Sequence, residues 1–397
     1  MKVLVANIGS TSLKWRLFDF SNGAERLLHK GGFERVTDYP KAIEDCLAQL
    51  KEAGAITSER DLAAVGFKTV LAKNVSGCVR LDEPVLKAME AYNGIAPAHN
   101  PPYITGIRQF AQRMPGTPLV GLFETAFYQF APEAQMRYGV PDAWYEAGIR
   151  RFGFHGASHK FIAERSAELL GREDVAKRAR EQYVNGATTP VNGPALRVIS
   201  CHLGGTSSIT GIRNGVAIGN SLGMSPQSGL PHNNRVGDLD CAAVPYAMRA
   251  LGLSLEEAER QLSKEGGLKG LACGLSNDIR DIQEAANKGN AKAKLALDVF
   301  VASARHWIGA YFFELGGADA IVFTAGIGEN RAELREAICA GLEDIGIVLD
   351  PKLNSETRAK EGVISAANSR VKLMVIPTNE ELVVAREVKR LLETKKN

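Results

Sequence analysis

Short runs of apolar residues alternate along this chain with longer stretches in which apolar positions recur every three to four residues. That mixture is expected of strands interleaved with helices. The chain opens with a strand over 3–7, the turn Gly9-Ser10-Thr11-Ser12, and a second strand over 13–20. Their alternation is imperfect, as in strands buried on both faces. The periodicity predicts amphipathic helices over 42–53, 84–92, 158–170 and 255–265. Ser254 is placed to cap the last of these, with Glu257 three residues on. The longest helix, 291–315, has few polar interruptions and stops at Gly316-Gly317, so it reads as a core helix. A strand over 320–324 follows, then Ala325-Gly326-Ile327-Gly328-Glu329-Asn330 and another helix. Near the end, 373–377 is a strand and Thr378-Asn379-Glu380-Glu381 starts a helix whose body is 382–392. Residues 172–194 are polar, with Gly, Asn, Thr and Pro at their end, and are expected to form a mobile excursion. The class is α/β.

The opening pattern recurs. Val198 to Ser207, with Gly204-Gly205-Thr206-Ser207 at its end, overlays the segment from Val3 to Ser12 at a spacing of 195 residues. Both copies run through a second strand to a turn, Ser21-Asn22-Gly23 in one and Arg213-Asn214-Gly215 in the other. A strand–glycine turn–strand unit in each half implies an internal duplication and two similar domains facing each other. A length of 397 residues also exceeds what one hydrophobic core usually serves.

Composition narrows the function. Forty-eight basic residues against 45 acidic ones leave a net charge of +3, which argues against a nucleic-acid protein held by a basic surface. No apolar run is long enough to span a bilayer. The N-terminus enters strand sequence directly, without the order of a secretory leader. Six scattered cysteines without a C-x-x-C pair fit reduced thiols, hence a cytoplasmic protein.

The glycine clusters carry the chemistry. A Gly-Ser-Thr-Ser turn presents backbone N–H groups and hydroxyls to an anion, and Lys14 lies just beyond it. The second copy and the third cluster, Gly326-Ile327-Gly328, add two more clamps, the third at a helix start that favours phosphate. Neither the Walker pattern nor the dinucleotide fingerprint occurs in its proper context. Three such turns point to ATP held between two domains. Asn277-Asp278-Ile279-Arg280-Asp281 and Arg235-Val236-Gly237-Asp238 have charges of both signs, a pattern more often a cap with a solvated ion pair than a site. His155 and His159 share i, i+4 spacing, but no Glu follows the first, which argues against a zinc hydrolase. Asn7 and Glu380 offer oxygen atoms suited to holding Mg²⁺ through its waters.

Taken together, these strings resemble the acetate kinase family of the sugar kinase–actin–Hsp70 (ASKHA) superfamily. The resemblance runs end to end, through Asn7 to Lys14, His99-Asn100-Pro101-Pro102, Arg150 to Gly156, Cys201 to Gly204, Asp278 to Asp281, Thr324 to Asn330 and Pro377 to Leu382. It implies two duplicated ASKHA domains around a cleft, 1–149 plus 381–397 and 150–380, and a homodimer. It also implies reversible transfer of the ATP γ-phosphoryl to a short-chain carboxylate such as acetate or propionate, giving an acyl phosphate and ADP. By position, Asn7 and Glu380 organise Mg²⁺ (Mn²⁺ in its place). Lys14, His202, Leu203, Gly204, Gly205, Thr206, Asp278, Ile279, Arg280, Gly326, Ile327, Gly328, Glu329 and Asn330 line the nucleotide site. Glu124, His155 and Arg235 form the catalytic group, and Lys68 meets the acid. A nucleotide-binding sensor without turnover and a pyrophosphate-using relative are the other readings.

The chain departs from the family pattern at the acid and phosphoryl subsites. Lys68, in Gly66-Phe67-Lys68-Thr69-Val70-Leu71, replaces an arginine, a point charge in place of a bidentate fork. Phe67 and Leu71 replace histidines, which reshapes the expected acyl pocket. Glu124 replaces an aspartate, moving the carboxylate by up to about 1.5 Å, one carbon–carbon bond. The substrate acid, with a pKa near about 4, is already ionised, so Glu124 is expected to order Mg²⁺ waters and not to accept a proton. Gly205 deletes an asparagine amide, and Leu230-Pro231-His232-Asn233-Asn234 replaces a different segment before Arg235.

Overall fold

The computed structural model describes residues 1–394 except Ser10 and Ala98. Ser10 of the first glycine turn and the last three residues of the 381–397 segment therefore lie outside the described residues.

The first sheet contains β1 (Lys2–Ile8), β2 (Ser12–Asp19), β3 (Arg26–Glu34), β4 (Leu62–Thr69), β5 (Cys78–Arg80) and β6 (Leu119–Phe123). The second contains β7 (Arg197–His202), β8 (Ser208–Arg213), β9 (Val216–Asn220), β10 (Ala320–Thr324), β11 (Gly362–Val363) and β12 (Lys372–Val375). Their spatial orders are β3-β2-β1-β4-β6-β5 and β9-β8-β7-β10-β12-β11. The pairing senses also match position by position, with β1, β4 and β6 parallel in one sheet and β7, β10 and β12 parallel in the other. The duplication expected from two glycine turns thus extends over six strands per half. Parallel strands buried on both faces read as near-continuous apolar runs, and β6 and β10 are buried throughout.

The helix Ala291–Leu315 lies at its predicted bounds, and Gly316 closes it in the left-handed region at φ 70°. Its Ala296, Phe300, Ala304, Ile308 and Tyr311 enter the core beneath the second sheet. Two predicted segments differ. The helix from Leu255 is regular only to Arg260 and continues as a wider π turn, Gln261–Glu265. There the Leu262 carbonyl accepts from Val236 N–H at 3.0 Å, so a carbonyl of this segment is diverted to the Arg235 loop. The segment 172–194 is no loose excursion. It contains the helix Glu173–Asn185, whose Val175, Ala176, Ala179 and Gln182 are buried, and Arg172 binds Asp174 at its start. Apolar positions at i, i+1 and i+4 carried this signal, and the surrounding polar residues masked it.

The C-terminal helix Glu380–Thr394 leaves β12 of the second sheet but packs on β1, β4 and β6 of the first, with Val384 and Val388 buried there. It is tied to the helix Gly156–Leu169 by Lys160 and Glu387, 2.8 Å apart and both 2% exposed. Breaking a buried pair from one side leaves an uncompensated charge. Glu387→Ala should therefore lower stability by about 3–5 kcal/mol in urea unfolding, and Lys160→Met combined with Glu387→Leu should recover most of it. A negligible cost for the single change would contradict a dry ion pair at this joint.

Candidate active site

The predicted site residues lie at or just beyond the carboxyl ends of the parallel strands, the usual place for a ligand in α/β sheets. Asn7 is on β1, Lys68 near the end of β4, and Glu124 just beyond β6. His202 ends β7, Gly326 to Asn330 follow β10, and Glu380 follows β12.

Lys68 is the centre of the N-terminal group. Its Nζ contacts Glu380 Oε2 and lies 3.3 Å from Glu124 Oε1. Glu124 is 5% exposed, and its Oε2 is buried without a hydrogen-bond partner. Burial pushes the Glu124 carboxyl up against the pull of Lys68. For Glu380 burial opposes ionisation too, but the closer Lys68 ammonium holds its carboxyl below the usual range. Lys68 itself is pushed down by burial and more strongly up by the two carboxylates, so it stays charged. Asn7 Oδ1 accepts from Tyr103 O–H at 2.7 Å. Tyr103 belongs to the helix Asn100–Arg113, which sequence periodicity did not reveal; Asn100 anchors its start by donating to the Leu71 and Met89 carbonyls at 2.9 and 2.8 Å. The His99-Asn100-Pro101-Pro102 string thus fixes Tyr103, and Tyr103 holds Asn7.

His155 precedes the helix Gly156–Leu169 in the left-handed region, φ 58°. Gly156 follows because a Cβ there would stand 2.2 Å from the Glu124 carbonyl oxygen, which accepts the Gly156 N–H at 3.0 Å. His155 stacks on His202 with ring centroids 4.0 Å apart. A buried chain of 2.8 Å contacts links Ser200 Oγ to His159 Nδ1, His159 Nε2 to Ser208 Oγ, and Ser208 Oγ to His155 Nδ1. Ser208 has one proton to donate. If it goes to His155 Nδ1, His159 donates to Ser208 and His155 carries its own proton on Nε2, free to donate elsewhere. Burial, reinforced by the neighbouring imidazoles, keeps His155 and His159 well below the ordinary histidine range.

The turn from Gly204 to Thr206 is clamped from both sides. Leu203 O accepts from Ile327 and Gly328 N–H at 2.8 and 3.0 Å, joining two glycine clusters. His232 Nδ1 accepts from Ser207 N–H at 3.0 Å, and Arg235 donates to Thr206 Oγ1 and, at 2.9 Å, to the Pro226 carbonyl. A Cβ on Gly326 would meet nothing within 4 Å, so the backbone there is open to a ligand. Glu329 Oε1 accepts from Thr378 N–H, and Asn330 donates to Gly326 O at 2.9 Å. Asp278 caps the helix Ile279–Asn287 and binds Arg280, which holds its carboxyl down to about 2. That pair is the cap with an exposed ion pair that such strings usually form. Lys14 is exposed on β2, 2.8 Å from Glu34, and lines a hollow with Asn7, Arg16 and Glu381.

Comparison with known proteins bears directly on this arrangement. A family-wide sequence profile described as the Acetokinase family matches residues 29–386. The acetate kinase of Methanosarcina thermophila is 41% identical, with 99% of this chain and 98% of that protein covered. The chain belongs to the acetokinase family. The acetate kinase of Caldanaerobacter subterraneus is 40% identical over 99% of both chains. Among solved structures, Porphyromonas gingivalis acetate kinase superposes with a TM-score of 0.85 at 34% identity, covering 98% of this chain and 99% of that one. A propionate kinase from Francisella tularensis superposes with a TM-score of 0.83 at 31% identity, covering 97% and 98%.

Against the family pattern, two of the departures touch each other. The Asn233 side chain lies over Gly205, its Nδ2 3.1 Å from where a Cβ would stand, and Asn233 N–H donates to Gly205 O at 3.0 Å. The amide absent at 205 is thus offset by one at 233, which reading positions one at a time missed. Phe67 does not shape an acyl pocket; it is fully buried against Phe110 in the N-terminal core. Leu71 instead packs with Val70, Tyr92, Ala96, Phe154 and Leu222, beside the residues flanking Lys68 and His155. The donor set suits Mg²⁺: two carboxylates and an amide oxygen, one carboxylate oxygen buried and unpartnered. Among the described residues no cluster of three or more His, Cys, Asp or Glu forms a dedicated metal cage. Mg²⁺ commonly binds through one or two carboxylates plus substrate phosphates.

The buried histidines set an acid limit. Burial holds His202 and His99 to about 4 and His232 to about 3, with Arg235 adding repulsion on the last two. Below the ordinary value of 6.5 the unfolded chain takes up protons the folded one refuses. Stability present above that pH should be lost as pH falls from about 6.5 towards about 4. Urea midpoints across this window should fall, and His232→Gln should flatten the fall; an equally steep fall in the variant would remove His232 from the effect.

Proposed function

We propose that this acetokinase-family protein is an ATP-dependent kinase of short-chain carboxylates, with acetate or propionate as acceptor, forming an acyl phosphate and ADP reversibly. The observation that carries this reading is the meeting of Asn7, Lys68, Glu124 and Glu380 with His155, Arg235 and the two clamped glycine turns at the carboxyl ends of both sheets. That full set favours turnover over a nucleotide sensor.

The substrate carboxylate is ionised at neutral pH, so no proton has to be removed from it. Its oxygen attacks the γ-phosphorus in line, the new O–P bond forms as the bond to the ADP oxygen breaks, and the departing pair stays on ADP. Asn7, Glu124 and Glu380 would hold Mg²⁺, which would supply charge neutralisation at the phosphates. Lys68 is the cation available to the acid. His155, kept neutral and Nε2-protonated by Ser208, donates to a phosphoryl oxygen, and Arg235 adds positive charge. The nucleotide lies along Gly326 to Asn330, Gly204 to Thr206 and the Asp278–Arg280 pair, with Lys14 at the phosphate end. The domains on this reading are 1–149 plus 381–397 and 150–380.

A homodimer belongs to the same reading. No residue of the helix Ala243–Leu251 is buried, and Tyr246 and Leu251 are 68% and 69% exposed beside exposed Leu239 and Leu255. An apolar patch of this kind marks an interaction surface. Sedimentation equilibrium should give twice the chain mass, reduced to the monomer by Leu251→Glu. Six free thiols, three of them buried, accord with a reducing cytoplasm; among the described residues no helix is long and apolar enough to cross a membrane.

Acyl-hydroxamate formation with Mg²⁺-ATP should proceed with acetate and propionate. Lys68→Ala should raise the KM for the acid, and an unchanged value would remove Lys68 from the carboxylate role. Ser208→Ala should lower kcat about tenfold or more, the loss of one oriented charge-assisted donor, with the KM for ATP near the wild type.

A further inference from the structure

We propose that Lys68 is a tethered counter-ion which occupies the carboxylate pair Glu124–Glu380 until a divalent cation takes that pair, and that its release then makes it available to the substrate acid. The inference rests on the kinase reading above and adds to it a coupling between the two substrates.

The geometry leads there in three steps. Lys68 Nζ lies between the two carboxylates, in contact with Glu380 and 3.3 Å from Glu124 Oε1, and it makes no other side-chain hydrogen bond or ion pair among the described residues. Glu124 Oε2 is buried without a partner and offers a divalent cation a first oxygen; a cation drawn there sets two positive charges against Lys68 Nζ on the same pair of carboxylates, and the flexible ammonium is the one that yields. The Lys68 side chain keeps a quarter of its surface exposed, against 6% for Glu124 and 14% for Glu380. The two anions are enclosed, and the cation has the open side. Its four-carbon stem is flexible, and its single charge needs no fixed fork geometry. Once displaced, a largely desolvated ammonium needs a new anion, and an incoming carboxylate supplies one of the same chemistry as the one it left.

The consequence is positive coupling. Metal–nucleotide binding improves affinity for the acid, and by linkage the acid improves affinity for metal–nucleotide by the same factor. Without the acid, part of the metal's binding is spent on evicting Lys68.

The test uses the full-length protein, with Mn²⁺ as the probe followed by electron paramagnetic resonance and ADP in place of ATP, so that nothing turns over. For the wild type, saturating acetate should tighten Mn²⁺–ADP binding at least about fivefold, the lower end of ordinary allosteric coupling. Lys68→Met should bind Mn²⁺–ADP more tightly than the wild type without acetate and lose the acetate effect. Lys68→Arg, which keeps the charge and guards against a folding defect in the methionine variant, should retain part of it. Wild-type binding indifferent to acetate, or a methionine variant that binds Mn²⁺–ADP no tighter, overturns the proposal. Hydroxamate assays run in parallel separate the two layers. Turnover of acetate without coupling sinks the Lys68 role alone, whereas absence of turnover with any short acid sinks the kinase reading beneath it.

Discussion

Two carboxylates enclosed at one point of a protein interior cannot both stay ionised without a cation beside them, and the N-terminal half of this site is built around that constraint. Glu124 and Glu380 reach the point from different sheets, and Lys68 arrives from the strand beside β6. The parallel register places Lys68 opposite Leu122, two residues short of Glu124, so β4 and β6 bring the first ion pair together. Glu380 is delivered where the chain crosses from β12 to the C-terminal helix lying on the first sheet. That crossover has its own cost, since it buries Lys160 and Glu387 at the joint, where they compensate each other.

The opposite wall follows different electrostatics. Its imidazoles are packed too deeply to carry charge, and serines on β7, β8 and the His155 helix complete their hydrogen bonds. Neutral donors can meet a phosphoryl group without first being stripped of a bound anion. Beside these imidazoles the positive charge comes from Lys68 and from Arg235, which is anchored to the glycine turn through Thr206.

The repeated sheet explains why so few local strings suffice. Both halves present the carboxyl ends of three parallel strands, and each strand end carries one functional group or turn. Close approach of backbone does the rest: Leu203 O ties two glycine turns together, and Gly156, next to His155, sits directly against the Glu124 carbonyl. Gly205 and Asn233 belong together by the same logic, because the Asn233 amide lies over the space that a side chain at 205 would enter.

The amino-acid sequence by itself determined the α/β class, the duplication, the long core helix at its bounds, and the motifs at the strand ends. These are properties of local periodicity and of glycine at turns, which neighbouring residues decide. It also carried the family resemblance, since motif strings survive where packing positions drift. Only the tertiary structure decided what each motif touches. Lys68 and Glu380 are 312 residues apart, and no local pattern announces that one will lie between the other and Glu124. Tyr103 holding Asn7, Asn233 covering Gly205 and Phe67 turning into the core are likewise outcomes of strand pairing and helix packing. The helix Glu173–Asn185 was hidden for a related reason. Its apolar stripe is narrow, and such a helix becomes stable only when the helix Gly156–Leu169 covers that stripe.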